Sequence, residues 1–409
     1  MKIGYVLLDG CGDRPHPKLN FTTPLEAAVT PNLDRIAGSS RLGRVITVGR
    51  GISPESDIAV FNMLGYSFDK GYPGRGVVEA VGSGLGFRDG ELALRANLAT
   101  VKGLEIIDRR AGRNLAKAEA KLLQEELNGI RLHGAEFEYR STVSYRGVLV
   151  IRGDKPLSAS VSNTDPAYAR VCGFGAAKET KKGERVLDCV PESDSEAAAR
   201  AAQLVNEFTT KSLKVLGASA VNKRRASDGK LPANCVLLRD AGDHLPRVPS
   251  FEEKYEMKGT ALVEMPAEVG IAKLLGMKMV KIEDMNDMTE KAAKFRNELR
   301  DGTVVYVHIK GPDEFGHDGD VIGKKKCIEA IDREFFSAAA EQLADARLGV
   351  SCDHATPCAI KMHASDPVPL LITTDGRSDG MRFTERNSMR GSLGLVKGST
   401  VLSRAKSGR

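Results

Sequence analysis

Residues 303–320 read TVVYVHIKGPDEFGHDGD, and residues 347–372 read RLGVSCDHATPCAIKMHASDPVPLLI. In each, an apolar run of strand length empties into a loop that carries hard metal ligands: Asp313 with His317, then Asp353 with His354, and His363 beyond. A lone histidine more often sits in a core or at the surface than on a metal. Five Asp and His groups in two short loops reverse that expectation, because packing gives no reason to concentrate them. His308 lies within the first strand and need not be a ligand. Imidazole and carboxylate without thiolate suit Mn, Zn, Co or Fe rather than a Cys-rich structural zinc. The window reads as a catalytic centre for two metal ions.

Outward from that window, strands and helices alternate. KKCIEAIDREFFSAAAEQLADA between the two loops is helical, EVGIAKLLGM before them is another helix, and NCVLLRDAG is a strand. At the other end of the chain, KIGYVLL (2–8) is a buried strand that delivers Asp9 into a loop. A helix capped by Thr30 with Pro31 at its first position follows, then the strand LGRVITV (42–48). Such alternation predicts an α/β fold, a mostly parallel sheet with helices on both faces. Ligands in open α/β sheets gather beyond the carboxyl ends of the strands, where Asp9, Asp313 and Asp353 all fall.

The texture changes near Gly103. A polar hairpin, an Ala/Leu/Glu/Lys helix ending at Asn128-Gly129 and alternating strands predict a small inserted α+β domain over 103–188. Residues 1–102 and 189–409 then form the two parts of the metal-bearing domain. The Gly-rich stretch 71–90 lacks the spacing of a phosphate-binding GxxxxGKS loop. It reads as either a surface segment or a loop that closes on substrate.

The chain has 409 residues, 41% of them hydrophobic and 28% charged, which is ordinary for a globular protein with a sizeable core. Its formal charge of +6 suits small anionic substrates, and no basic stripe with interleaved aromatics points to nucleic acid. Seven scattered cysteines without a CxxC pair predict reduced thiols. No signal-peptide pattern and no membrane-length apolar run are present, so a cytoplasmic protein is expected.

Ser56 opens the helix of GISPESDIAVFNMLGY. A serine there is usually an N-cap. Here a tight entry exposes its hydroxyl at a helix N-terminus, which favours an alkoxide and an incoming phosphate, and a metal ion can make the hydroxyl a nucleophile near neutral pH. No GxSxG elbow supports a Ser-His-Asp triad. The run Asp108, Arg109, Arg110 and Arg113 offers forked guanidiniums for carboxylate and phosphate; a solvated turn explains it equally well.

LLDGCGD, the PESD…LGY loop, GPDEFGHDGD and CDHATPCAIKMHASDPVPLLI together resemble the archaeal-type cofactor-independent phosphoglycerate mutases of the alkaline phosphatase superfamily. RANLAT and DRRAGR extend the resemblance over nearly the whole chain. It implies an alkaline-phosphatase-like fold and interconversion of 3-phosphoglycerate and 2-phosphoglycerate through a phosphoserine enzyme. It further implies two divalent ions, Mn first with Zn or Co as alternatives. Asp313, His317 and His363 would hold one ion, and Asp9, Ser56, Asp353 and His354 the other. Arg95, Asn97, Asp108 and Arg109 would bind the phosphoglycerate, and the insert would close over the metal domain. A metallophosphatase or a phosphopentomutase would share the metal chemistry. The family has PGSD where this chain has Glu55 before Ser56, a carboxylate beside the nucleophile. The oligomeric state is left open.

Overall fold

Apolar runs that end in an acidic residue form the centre of the larger sheet. The computed structural model describes residues 1–68, 71–171, 174–178, 181–339, 345–374 and 376–408. Strands β1 (Ile3–Leu8) and β2 (Ser40–Ile46) come first. The middle of the chain holds β3 (Leu92–Lys102), β4 (Glu105–Asp108), β5 (Ala135–Ser141), β6 (Arg146–Gly153), β7 (Tyr168–Val171), β8 (Phe174–Ala177) and β9 (Cys235–Gly242). The last stretch contributes β10 (Lys258–Val263), β11 (Lys278–Lys281), β12 (Thr303–Ile309), β13 (Arg347–Ser351), β14 (Val368–Thr373) and β15 (Gly394–Lys397).

Two compact units emerge, one of Met1–Asp69, Val248–Glu264 and Leu275–Arg409, the other of Lys70–Arg247 with Met265–Leu274. The first contains an eight-stranded sheet in the order β11-β10-β12-β1-β13-β14-β2-β15. Its pairings are parallel except for β13 with β14 and β14 with β2. Every residue of β1 is buried, so both faces of the sheet are covered there. The register aligns Leu7 with His308 on one side and with Ser351 on the other. Three neighbouring parallel strands therefore end level, and the segments after them carry Asp9, Asp353 and Asp313, the last on a helix (Pro312–Asp318) where a loop was expected.

The second unit is built on a sheet of β4-β3-β6-β5 with β9 on β3, and on a small β7-β8 hairpin. Leu94, Ala96 and Leu98 turn one face of β3 into a core with Leu123, Leu149, Val205 and Phe208. This unit is wider than the insert expected over 103–188. β3 and β9 hydrogen-bond to each other, and the Glu196–Ala218 helix packs its Leu204, Val205 and Phe208 into the same core. The Gly-rich stretch differs from expectation too. It contains a helix, Arg75–Ser83, whose Val77 and Ala80 are buried. Its glycines serve close packing: a side chain on Gly82 would collide with the backbone of Pro266, at the start of the Pro266–Leu274 helix. No helix among the described residues is long and apolar enough to cross a membrane.

Candidate metal centre

Asp313 and His317 sit one helical turn apart on Pro312–Asp318, which places them on one face. His317 Nε2 lies 3.4 Å from Asp313 Oδ2, and His363 Nε2 lies 3.6 Å from Asp313 Oδ1. Both rings are oriented from behind. His317 Nδ1 donates to the carbonyl of Lys361 at 3.0 Å, and His363 Nδ1 donates to that of Pro54 at 2.7 Å. A carbonyl can only accept, so each neutral ring keeps its lone pair on Nε2, facing Asp313; this outer bond is the usual support of a metal-bound histidine. Burial, helped by neighbouring His354, pulls His363 down to about 4, which keeps it neutral at physiological pH. Asp313, despite burial, is held down at about 2 by His363, His354 and His317.

The second group lies alongside. His354 Nε2 stands 3.1 Å from Asp353 Oδ2, 3.6 Å from Asp9 Oδ1 and 3.1 Å from Ser56 Oγ. Thr356 Oγ1 donates to Asp313 Oδ1, which leaves it an acceptor for His354 Nδ1–H at 3.1 Å. His354 Nε2 thus also presents a lone pair. Ser56, first residue of the otherwise buried Ser56–Met63 helix, directs its hydroxyl at that nitrogen. Asp9 Oδ1 and Asp353 Oδ2 are buried without a hydrogen-bond partner among the described residues. Two orphaned carboxylate oxygens beside an imidazole lone pair are costly unless a cation meets them. Burial raises Asp9, with Lys310 opposing, whereas His354 and His308 overcome burial to hold Asp353 far below the ordinary carboxylate range. Gly10 completes the floor: its φ is +56°, and a Cβ there would stand 2.5 Å from Asp313 Oδ1 and 2.7 Å from Thr356 Oγ1. The donor set fits two divalent cations. Asp313/His317/His363, Asp9/Asp313/His354 and Asp9/His308/Asp353 each bring three ligand atoms within 4.8 Å of one another.

Within the second unit, the register sets Arg95 of β3 opposite Arg239 of β9, and Asn97 opposite Arg146 of β6. Arg95 and Arg75 both pair with buried Glu79, at 3.0 and 2.8 Å. Arg109 grips Asp165 with a fork, Nε to Oδ1 at 3.0 Å and Nη2 to Oδ2. Arg239 lies 3.6 Å over the Tyr168 ring, and Arg109 is 5.0 Å from the same centroid. Asn97 Oδ1 and Arg146 Nε are buried with no hydrogen-bond partner among the described residues. The cluster is rich in guanidinium donors suited to an anion.

The family model for 2,3-bisphosphoglycerate-independent phosphoglycerate mutase matches residues 37–222. The enzyme of that name from Aeropyrum pernix is 42% identical over 418 residues, covering 97% of each chain. The chain belongs to this mutase family. Among solved structures, a Pyrococcus horikoshii protein is 29% identical and covers 99% of this chain and 96% of its own, with a TM-score of 0.80. The cofactor-independent phosphoglycerate mutase of Thermoplasma acidophilum is 32% identical, covering 100% of this chain and 99% of its own, with a TM-score of 0.63.

In this member of the phosphoglycerate mutase family, all seven residues expected at the metals lie together in the first unit, and Arg95, Asn97, Asp108 and Arg109 lie in the second. Asp108 shapes its own turn, accepting from the backbone of Arg110 at 2.7 Å and Gly112 at 3.2 Å. Sequence reasoning missed Thr356 and Lys310, and in the second unit Arg146, Arg239, Tyr168 and Asp165. Thr356 and Lys310 had a signal, since each lies within the quoted metal motifs. Arg146 and Arg239 depend on the pairing of β6 and β9 with β3, and Asp165 and Tyr168 on contacts with Arg109 and Arg239 from distant parts of the chain.

Proposed function

We propose that this chain interconverts 3-phosphoglycerate and 2-phosphoglycerate by way of a phosphoserine at Ser56, as a cytoplasmic enzyme of glycolysis and gluconeogenesis. The observation that carries the proposal is Ser56 Oγ, 3.1 Å from His354 Nε2, the nitrogen that also faces the orphaned oxygens of Asp9 and Asp353. Asp313, His317 and His363 would hold one ion, and Asp9, Asp353, His354 and Ser56 the other, with Mn²⁺ the first choice and Zn²⁺ or Co²⁺ next. When bound, the ions supply Lewis-acid stabilisation to the serine oxygen and the phosphoryl group. The chain's own part is orientation. The Ser56–Met63 helix aims its N-terminal N–H groups at the anion, and Gly10 leaves the floor open. Arg95, Asn97, Asp108 and Arg109 are assigned to the phosphoglycerate, with Arg239 and Arg146 added by their cross-strand positions. Arg109 spends Nε and Nη2 on Asp165, and its Nη1, with no hydrogen bond among the described residues, would serve a carboxylate or phosphate.

The test couples 3-phosphoglycerate to enolase and measures inorganic phosphate in parallel. Chelation should abolish turnover, and Mn²⁺ or Co²⁺ should restore it better than Mg²⁺. Full turnover by a chain verified to be metal-free would reject the catalytic role of the ions. Phosphate release without 2-phosphoglycerate would make the chain a phosphatase.

A further inference from the structure

The Asp9 side of the centre offers one donor more than the proposed ion needs. His308 is buried at the end of β12, with Nε2 3.3 Å from Asp353 Oδ2 and 3.8 Å from Asp9 Oδ1. Position alone would make it a ligand alongside His354. Proton counting says otherwise. Lys310 Nζ lies 3.1 Å from His308 Nδ1, and an ammonium has donors only, so Nδ1 must accept. With Nδ1 accepting, the ring carries its proton on Nε2, the atom that faces the carboxylates, and a protonated nitrogen cannot coordinate. The same ammonium pairs with Asp9 Oδ2 at 2.8 Å, which leaves Oδ1 as the oxygen nearer His354, 3.6 Å from its Nε2.

We propose that Lys310 and His308 are positioning residues that keep His308 out of the coordination sphere and so fix a hard, oxygen-rich ligand set on the Asp9 side. Asp9, Asp353, Ser56 and His354 give three oxygens and one imidazole, whereas Asp313, His317 and His363 give one carboxylate and two imidazoles. The two sides then differ in the cations they prefer. Adding His308 to the first would bring it to two imidazoles and shift it toward Zn²⁺. This inference rests on the reading of the Asp9 side as an ion site, which the metal content of the unmodified chain tests by itself.

The experiment uses the full chain labelled with ¹⁵N-histidine and loaded with Zn²⁺. Long-range proton–nitrogen spectra should show His308 protonated on Nε2 with Nδ1 accepting, and a Zn²⁺-bound His308 Nε2 would overturn the proposal without any variant. In Co²⁺-loaded protein, His308→Gln should leave the visible bands unchanged, because Gln keeps a donor and no ligand is lost. Loss of a nitrogen donor in that variant would overturn it too. Lys310→Met frees Nδ1 to take the proton, so Nε2 should join the metal. Equilibrium dialysis against mixed ions should then show Zn²⁺ gaining about tenfold over Mn²⁺ on that side, and Lys310→Arg should reverse the gain. An unchanged ratio in Lys310→Met would reject the relay. Fewer than two ions per unmodified chain would instead reject the two-ion reading.

Discussion

Thr356 Oγ1 stands 2.6 Å from Asp313 Oδ1 and donates its proton to that carboxylate. Having donated, the hydroxyl can only accept from His354 Nδ1–H, 3.1 Å away. One side chain therefore fixes a carboxylate of one proposed ion and the tautomer of an imidazole of the other. Thr356→Val keeps the shape but removes both bonds, so His354 is free to carry its proton on Nε2. Metal affinity and turnover should each fall by about 10- to 100-fold, and Thr356→Ser should restore most of both. Titration calorimetry with Mn²⁺ beside the coupled assay measures them. Unchanged affinity in Thr356→Val would show that His354 does not depend on this hydroxyl.

Glu55 precedes Ser56 as the N-cap residue of its helix and makes no capping bond with its side chain. Its carboxylate raises the proton affinity of His363, so its field reaches the Asp313 group. The same field should repel an incoming phosphate. Glycine is tolerated at an N-cap, and Glu55→Gly removes that field. It should lower KM for 3-phosphoglycerate by about fivefold, roughly 1 kcal/mol of relieved repulsion. A large drop in kcat would assign Glu55 a part in the chemistry.

How far the sequence reaches depends on how local each cause is. Asp9, Asp313 and Asp353 were legible because β1, β12 and β13 are apolar runs, and parallel runs that start level also end level. Asp313 and His317 were grouped by their nearness in sequence, but they were expected in a loop, and the structure sets them one turn apart on the helix Pro312–Asp318. The 71–90 stretch misled because glycine marks loops in general, whereas Gly82 answers to the backbone of Pro266, far along the chain. The limits of the second unit were obscured for a similar reason. β3 and β9 are distant in sequence, and only their register brings Arg239 beside Arg95. His308 could not be assigned because its role turns on the direction of one hydrogen bond from Lys310.

Glu385 reports on the packing behind the centre. Burial pushes its carboxyl up to about 7, although the hydroxyl of Thr23 at 2.6 Å and the backbone N–H of Asp13 at 3.2 Å both favour the charged form. A folded pKa above the unfolded value of 4.5 means that the folded state binds the proton more tightly. The stabilisation is complete below pH 4.5 and is lost as pH rises through about 7. Denaturant midpoints of the unmodified chain should therefore decline across that window relative to Glu385→Gln. Parallel profiles for the two proteins would mean that Glu385 titrates normally.

Once Ser56 holds the phosphoryl group, that group must return to the neighbouring oxygen of the same glycerate. During that interval only non-covalent contacts keep the glycerate in place. Positioned groups react faster than free ones by effective molarities of up to about 10⁵–10⁸ M, so weakening the grip should damage the second transfer more than the first. Arg109 is assigned to that grip, yet it also neutralises Asp165, whose side chain is fully buried. Arg109→Ala would strand that carboxylate and cost roughly 3 kcal/mol of stability. Arg109→Lys keeps a charge for Asp165 while losing the planar fork, and it is the cleaner variant. We expect its ratio of inorganic phosphate to 2-phosphoglycerate to rise by about tenfold, with a thermal midpoint close to that of the unmodified chain. Ser56→Ala should stop both products and abolish the phosphorylated species in intact-mass spectra. If Arg109→Lys slows mutation without raising the ratio, Arg109 does not hold the intermediate. If Ser56→Ala still forms 2-phosphoglycerate at a comparable rate, the phosphoserine route is wrong.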